Sequence, residues 1–200
     1  WRGITDSLHA ALERTATMAD PVGTRQMTAL LLALLERDYA EGLRVVETAP
    51  DPLRDQTSTY PKPLLRGWLL RLMDDPRATA ELERARTTLE RAVREQPEDH
   101  ALHLGLGRAY ALLGRRADAV REARRAMELL PRSQDALDGT AIAWEAAGIL
   151  AQSGEGEEAV RIVERLMEEP GWFTVHDLRR FPDWDPLRND PRFQALLRSR

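Results

Sequence analysis

The chain of 200 residues contains no cysteine, which excludes disulfides, thiolate metal centres and cysteine nucleophiles and leaves the redox compartment unmarked. Lysine is almost missing as well. Lys62 stands alone against 28 arginines, a bias that reads as codon composition more than as an interaction signal. Asparagine occurs once, at Asn189. Long apolar runs are absent. Apolar residues make up 42% of the chain, yet no stretch approaches the roughly 18 consecutive apolar residues of a membrane span. The richest stretch, Ala29 to Leu35, is one helical face and its neighbours. No charged n-region with an apolar h-region and cleavage site opens the chain. Gly-rich phosphate loops, a nucleophile elbow and a His-Glu zinc helix are also lacking, and Gly154-Glu155-Gly156 follows a helical stretch as an inter-helix turn would. Catalysis has little to stand on, and no enzyme activity is expected.

Charge is modest and uneven. A net charge of −4 speaks against general affinity for nucleic acid. Residues 100–133 hold seven Arg against three acids, whereas residues 134–200 hold eight Arg against thirteen acids. The positive stretch could steer an acidic partner, but a solvated helix face is the better reading. Neither nucleic acid nor membrane is an expected partner, and the expected location is cytoplasmic.

What is present is helix. Val and Ile are sparse, alternating apolar runs are missing, and Ala, Leu, Glu and Arg dominate. The clearest unit runs from His100 to Ser133. Leu102, Leu106, Gly107, Tyr110 and Leu113 recur at helical spacing, and Gly114 ends that helix. Ala119, Val120, Ala123, Ala126, Met127 and Leu130 form a second stripe, and Pro131 stops it. Small residues beside large ones let two antiparallel helices approach closely. Weaker units occupy Gly23 to Arg54, with Leu30, Ala33, Gly42, Val46 and Ala49, and Thr140 to Glu169, with Ala147, Leu150, Gly154 and Ala159 before Pro170. Between them lies an irregular hairpin over 61–97. A helix over about 6–18 precedes everything. Pro50 to Pro63, with four prolines, reads as an exposed connector. Five Asp-Pro pairs read as helix starts, with Asp as N-cap and Pro in the first turn.

The order of Gly107, Tyr110, Ala119, Ala126 and Pro131 resembles the tetratricopeptide repeat, a helical hairpin of about 34 residues. His103 stands where that family usually has tryptophan. The resemblance implies an all-α, right-handed α-α superhelix of antiparallel hairpins. Residues 171–200, with Trp172, Phe173, Phe181, Trp184 and Phe193, would be its C-terminal capping segment, Leu187, Phe193, Leu196 and Leu197 covering the last apolar face. The string from Phe181 to Phe193, together with Tyr60-Pro61-Lys62 and Leu137-Asp138-Gly139, also resembles the ending of a group of bacterial regulatory proteins. In that group a kinase, cyclase or DNA-binding domain precedes a tetratricopeptide region. The opening Trp1-Arg2-Gly3 reads as mid-domain sequence, so an upstream effector domain is expected.

Function then reads as a protein–protein interaction scaffold, the docking or sensory arm of a larger protein. By the resemblance, the first helix of each hairpin lines a concave groove. The partner-binding candidates there are Met27, Leu31, Leu104, Arg108, Trp144 and Gln152, with Trp144 as the leading anchor. Such a lining suits an amphipathic helix or apolar peptide. The competing reading is that a neighbouring segment or the C-terminal tail buries these side chains. Self-association through Leu8, Ala11 and Leu12 is the alternative function, and a small-ligand or hydrolytic site is the third. His100 and His103 share a face as a metal pair would, but no third ligand is evident and His103 falls at a packing position. No cofactor is expected.

Overall fold

The computed structural model describes residues 3–18, 20, 23–55, 57–168 and 173–198. Glu169, Pro170 and Trp172, which the sequence places at the end of the last repeat and the start of the cap, lie outside the described residues. Among the described residues the protein is all-α apart from one short ribbon. Its helices are α1 (Gly3–Thr15), α2 (Thr24–Glu36), α3 (Tyr39–Thr48), α4 (Lys62–Leu72), α5 (Ala78–Glu95) and α6 (His100–Leu112). They continue with α7 (Arg116–Leu129), α8 (Asp138–Gln152), α9 (Gly156–Met167), α10 (Val175–Arg180) and α11 (Pro191–Arg198). A 3-10 helix, Pro182–Leu187, joins the last two. No helix among the described residues is long and apolar enough to cross a membrane.

From α1 to α9 each helix packs against the next, and α6 also touches both α4 and α8. Local chemistry sets the ends. Asp38 and Asp99 accept backbone N–H groups at the starts of α3 and α6. Gly114 and Gly154 take left-handed φ of 75° and 91° just past α6 and α8, where a Cβ would be strained. One core runs through the helices, with Leu102, Leu106 and Tyr110 of α6 and Ala119, Ala123 and Ala126 of α7 all buried in it. Each fully buried leucine stabilises the fold by roughly 1.5–3 kcal/mol.

Two expectations need correction. The 50–63 segment is no exposed connector. Its strands β1 (Leu53–Arg54) and β2 (Thr59–Tyr60) pair antiparallel, and Leu53, Thr57, Ser58, Thr59 and Tyr60 are buried. The ribbon packs on α6, where a Cβ on Gly105 would lie 2.6 Å from the Thr59 carbonyl oxygen. Nor do the Asp-Pro pairs share one role. Asp190 caps α11, accepting from the N–H groups of Arg192 and Phe193. Asp20 accepts from Thr24 and Arg25 at the start of α2, although Pro21 lies outside the described residues. Asp75 accepts from Arg77, just ahead of α5. Asp51 instead precedes a cis peptide and accepts the N–H of Lys62, eleven residues on. Asp185 sits inside the 3-10 helix and pairs with Arg37.

The C-terminal segment does two things. Its α11 packs on α9, and Phe193 and Leu187 are buried there as a cover for the last hairpin. Its earlier part runs back across the helices. The 3-10 helix packs on α8 and α10 reaches α2.

A candidate binding pocket under the C-terminal segment

Arg108, halfway along α6, is only 2% exposed, and a buried charge needs partners. Its Nη1 donates to both oxygens of Asp183, at 3.0 and 2.8 Å, and its Nη2 donates to Glu145. The guanidinium also lies over the Trp68 ring, 4.4 Å from the centroid. Gln152 donates from Nε2 to Asp183 at 2.8 Å. Gly148 makes room for that carboxylate, because a Cβ there would stand 2.8 Å from Asp183 Oδ2. Two helices, α6 and α8, thus converge on one tail residue, and α4 backs the arginine through Trp68. Burial pushes the Asp183 carboxyl up against the pull of Arg108, and the Glu145 charge that shares this arginine adds to the rise. Arg108 stays charged, its two carboxylates outweighing burial.

Aromatic contacts fasten the same segment. Phe173 stacks parallel on Trp144, with centroids 4.1 Å apart, and Trp184 meets the Trp144 ring edge-on at 4.9 Å. Phe181 meets Trp68 edge-on at 6.1 Å. At the far end, Arg37 donates to both oxygens of Asp185 at 2.8 and 2.7 Å.

The partner candidates therefore fall into two groups. Leu104 and Arg108 are buried, and Gln152 is half-buried and committed to Asp183, so in this conformation the first two present no surface. Met27, Leu31 and Trp144 border an open pocket of about 420 Å³. Leu31 is 37% exposed at its rim, Met27 is half-buried, and Trp144 is buried against the tail. Trp68, Phe173 and Phe181 complete the aromatic wall, and Leu34 and Leu65 add to the apolar one. The polar lining is Asp55, Thr57 and Tyr60 of the ribbon, Glu145 of α8 and Asp177 of α10. Asp55 Oδ1 accepts from the backbone N–H groups of Thr57 and Ser58 at 2.8 and 2.7 Å. Asp55 keeps exposed surface, yet desolvation by the groups packed around it, then the Glu145 charge, raise its pKa above the usual range. Burial followed by the same Glu145 and Asp55 charges pushes the Tyr60 phenol well up.

The chain matches no family model, no curated protein and no solved structure.

Asp55, Glu145 and Asp177 escape the sequence reading. Asp55 hides in the segment taken for an exposed connector. Glu145 does leave a signal, as the one charge between Thr140 and Gln152 in an otherwise apolar helix. The histidine pair is not brought together as a ligand set. His103 Nδ1 meets Glu122 at 2.6 Å and Nε2 meets the Pro97 carbonyl at 3.0 Å, so both ring nitrogens are engaged. Among the described residues no three His, Cys, Asp or Glu side chains gather where a metal could sit. A second depression of about 460 Å³ along α7 displays Arg121, Arg124 and Arg125, but each is paired, with Asp118, Glu158 and Glu128. Leu8, Ala11 and Leu12 of α1 are half-buried.

Proposed function

We propose that this chain is a protein-interaction scaffold of tetratricopeptide-like architecture, serving as the docking arm of a larger bacterial regulatory protein. The observation that carries the proposal is the pocket bordered by Met27, Leu31, Trp68 and Trp144, apolar and aromatic in lining and open at its rim. Its size falls in the range of about 300–1,000 Å³ that binding pockets occupy. Successive helix pairing, with α6 touching α4 and α8, supports a stack of hairpins whose first helices share the concave side. The C-terminal segment narrows that side to one pocket, so recognition centres on a few anchoring side chains rather than a long groove.

Selection of random 12-residue peptides on the immobilised chain tests this reading. The peptides recovered should lose at least about tenfold in affinity when Leu31→Arg or Met27→Arg puts a charge at the rim, with helix content unchanged by circular dichroism. Recovered peptides that bind both variants as well as the parent would place recognition elsewhere and remove the pocket from the proposal.

A further inference from the structure

Resting on the reading of this pocket as the docking site, we infer that it selects a positively charged group, an ammonium or guanidinium head carried on an apolar body. Charge balance is the first argument. The lining holds three carboxylates, Asp55, Glu145 and Asp177, and no lysine, arginine or histidine. Arg108, which pairs with the lining's Glu145, is already divided between Asp183 and Glu145, so one positive charge faces two negative ones before Asp55 is counted. Asp55 and Asp177 each commit one oxygen to their own turn, Asp55 Oδ1 to Thr57 and Ser58 and Asp177 Oδ2 to Thr174. Glu145 commits Oε2 to Arg108. The second oxygen of each accepts no hydrogen bond from the described residues. A neutral ligand would cover these carboxylates without compensating them, and an anion would be repelled.

The walls point the same way. Trp68, Trp144, Phe173 and Phe181 border the pocket, and the Trp68 ring already holds the Arg108 guanidinium at 4.4 Å, as rings attract cations through their quadrupoles. Aromatic faces combined with carboxylates are the chemistry that holds amines and guanidinium groups. Volume adds the body of the ligand. About 420 Å³ exceeds what an ammonium alone fills, and Met27, Leu31 and Leu34 offer an apolar surface beside the acids. The charged head is a lysine or arginine side chain of the docked peptide, whose apolar neighbours meet Met27 and Leu31.

Two matched probe pairs separate charge from shape and one source from the other. Phenethylamine is compared with phenethyl alcohol, and acetyl-Leu-Arg-Leu-amide with the same peptide carrying citrulline. Binding is read by calorimetry and by the fluorescence of Trp68 and Trp144, which border the pocket. The arginine peptide should bind about tenfold tighter than its citrulline counterpart, and the advantage should shrink with salt. Preference in the amine pair alone would assign a free amine and overturn the docked side chain. Asp55→Asn keeps an oxygen for the Thr57 and Ser58 N–H groups, so the fold should survive while the charge preference falls about threefold or more. Glu145→Gln should lower it further, and if that variant fails to fold, Asp55→Asn alone decides. Equal binding of charged and neutral probes, no binding of either charged probe to natively helical protein, or a preference untouched by Asp55→Asn each overturns the inference. Selected peptides that still depend on Met27 and Leu31 would then leave the docking reading standing. Cation binding with peptides indifferent to the rim would remove the docking reading instead.

Discussion

Tyr110 carries two separable contributions to stability. Its ring is buried in the α6–α7 hairpin, while its hydroxyl donates to Glu90 of α5 at 2.8 Å. Burial, then that bond, push the phenol up to about 12. Tyr110→Ala should cost about 3–5 kcal/mol in urea denaturation, because a large cavity opens in the core. Tyr110→Phe should cost only about 0.5–1.5 kcal/mol, since Glu90 keeps Arg86 as a partner. An alanine cost below about 1 kcal/mol would mean that the ring does not fill the core. His103 gives a pH signature instead. Only an imidazolium can donate to both the Glu122 carboxylate and the Pro97 carbonyl. Burial opposes that charge, and so does nearby Arg125, but the two acceptors prevail and the pKa lies above 6.5. The folded chain therefore holds this proton more tightly than the unfolded chain does. The stabilisation is complete below pH 6.5 and is lost as pH rises through the higher folded value. Denaturation midpoints should fall across that window, and His103→Gln should flatten the slope. A slope that persists in the variant would belong to another group.

The helices were legible because their signal is local. Periodic leucines and alanines, Asp99 as a cap and Gly114 as a stop lie within the stretch they organise, and α6 and α7 form where those residues stand. The ribbon was not legible, because nothing between Pro50 and Pro63 says what will cover it. Four prolines and polar side chains look solvated, yet α6 takes Thr59 and Tyr60 into the core. Its trace lies elsewhere in the chain, in Gly105, whose missing side chain admits the Thr59 carbonyl. Gly105→Ala sets two effects against each other. Alanine favours an exposed helix over glycine by about 1 kcal/mol. Here a Cβ would meet a backbone oxygen at 2.6 Å, and overpacking of that kind costs about 1–3 kcal/mol. The clash should win, and Gly105→Ala should lower the urea midpoint. A raised midpoint would show that the ribbon can move away from α6 at little cost.

At the scale of the molecule, the C-terminal segment decides what becomes of the side where α4, α6 and α8 meet. Arg108, Trp144 and Gln152 could be marked from the repeat frame, but Asp183, the partner of Arg108 and Gln152, follows Arg108 by 75 residues and no local pattern joins the two. The aromatic string from Phe173 to Phe193 announced a cover for the last hairpin. It did not announce that Asp183 and Asp185 would reach α6 and the end of α2. This crossing should make the tail part of one cooperative unit, because its contacts span hairpins far apart in sequence. Asp183→Ala tests the point. The substitution leaves Arg108 fully buried with Glu145 as its remaining carboxylate, and breaking a buried pair this way costs about 3–5 kcal/mol. Three tryptophans, Trp68, Trp144 and Trp184, sit at or beside the tail contact, so fluorescence follows the tail while circular dichroism follows the helices. If the tail folds with the stack, both midpoints move down together in Asp183→Ala. A fluorescence midpoint that falls while the helical one stays in place would make the tail a separate lid. The pocket beneath it would then open without the rest of the protein unfolding.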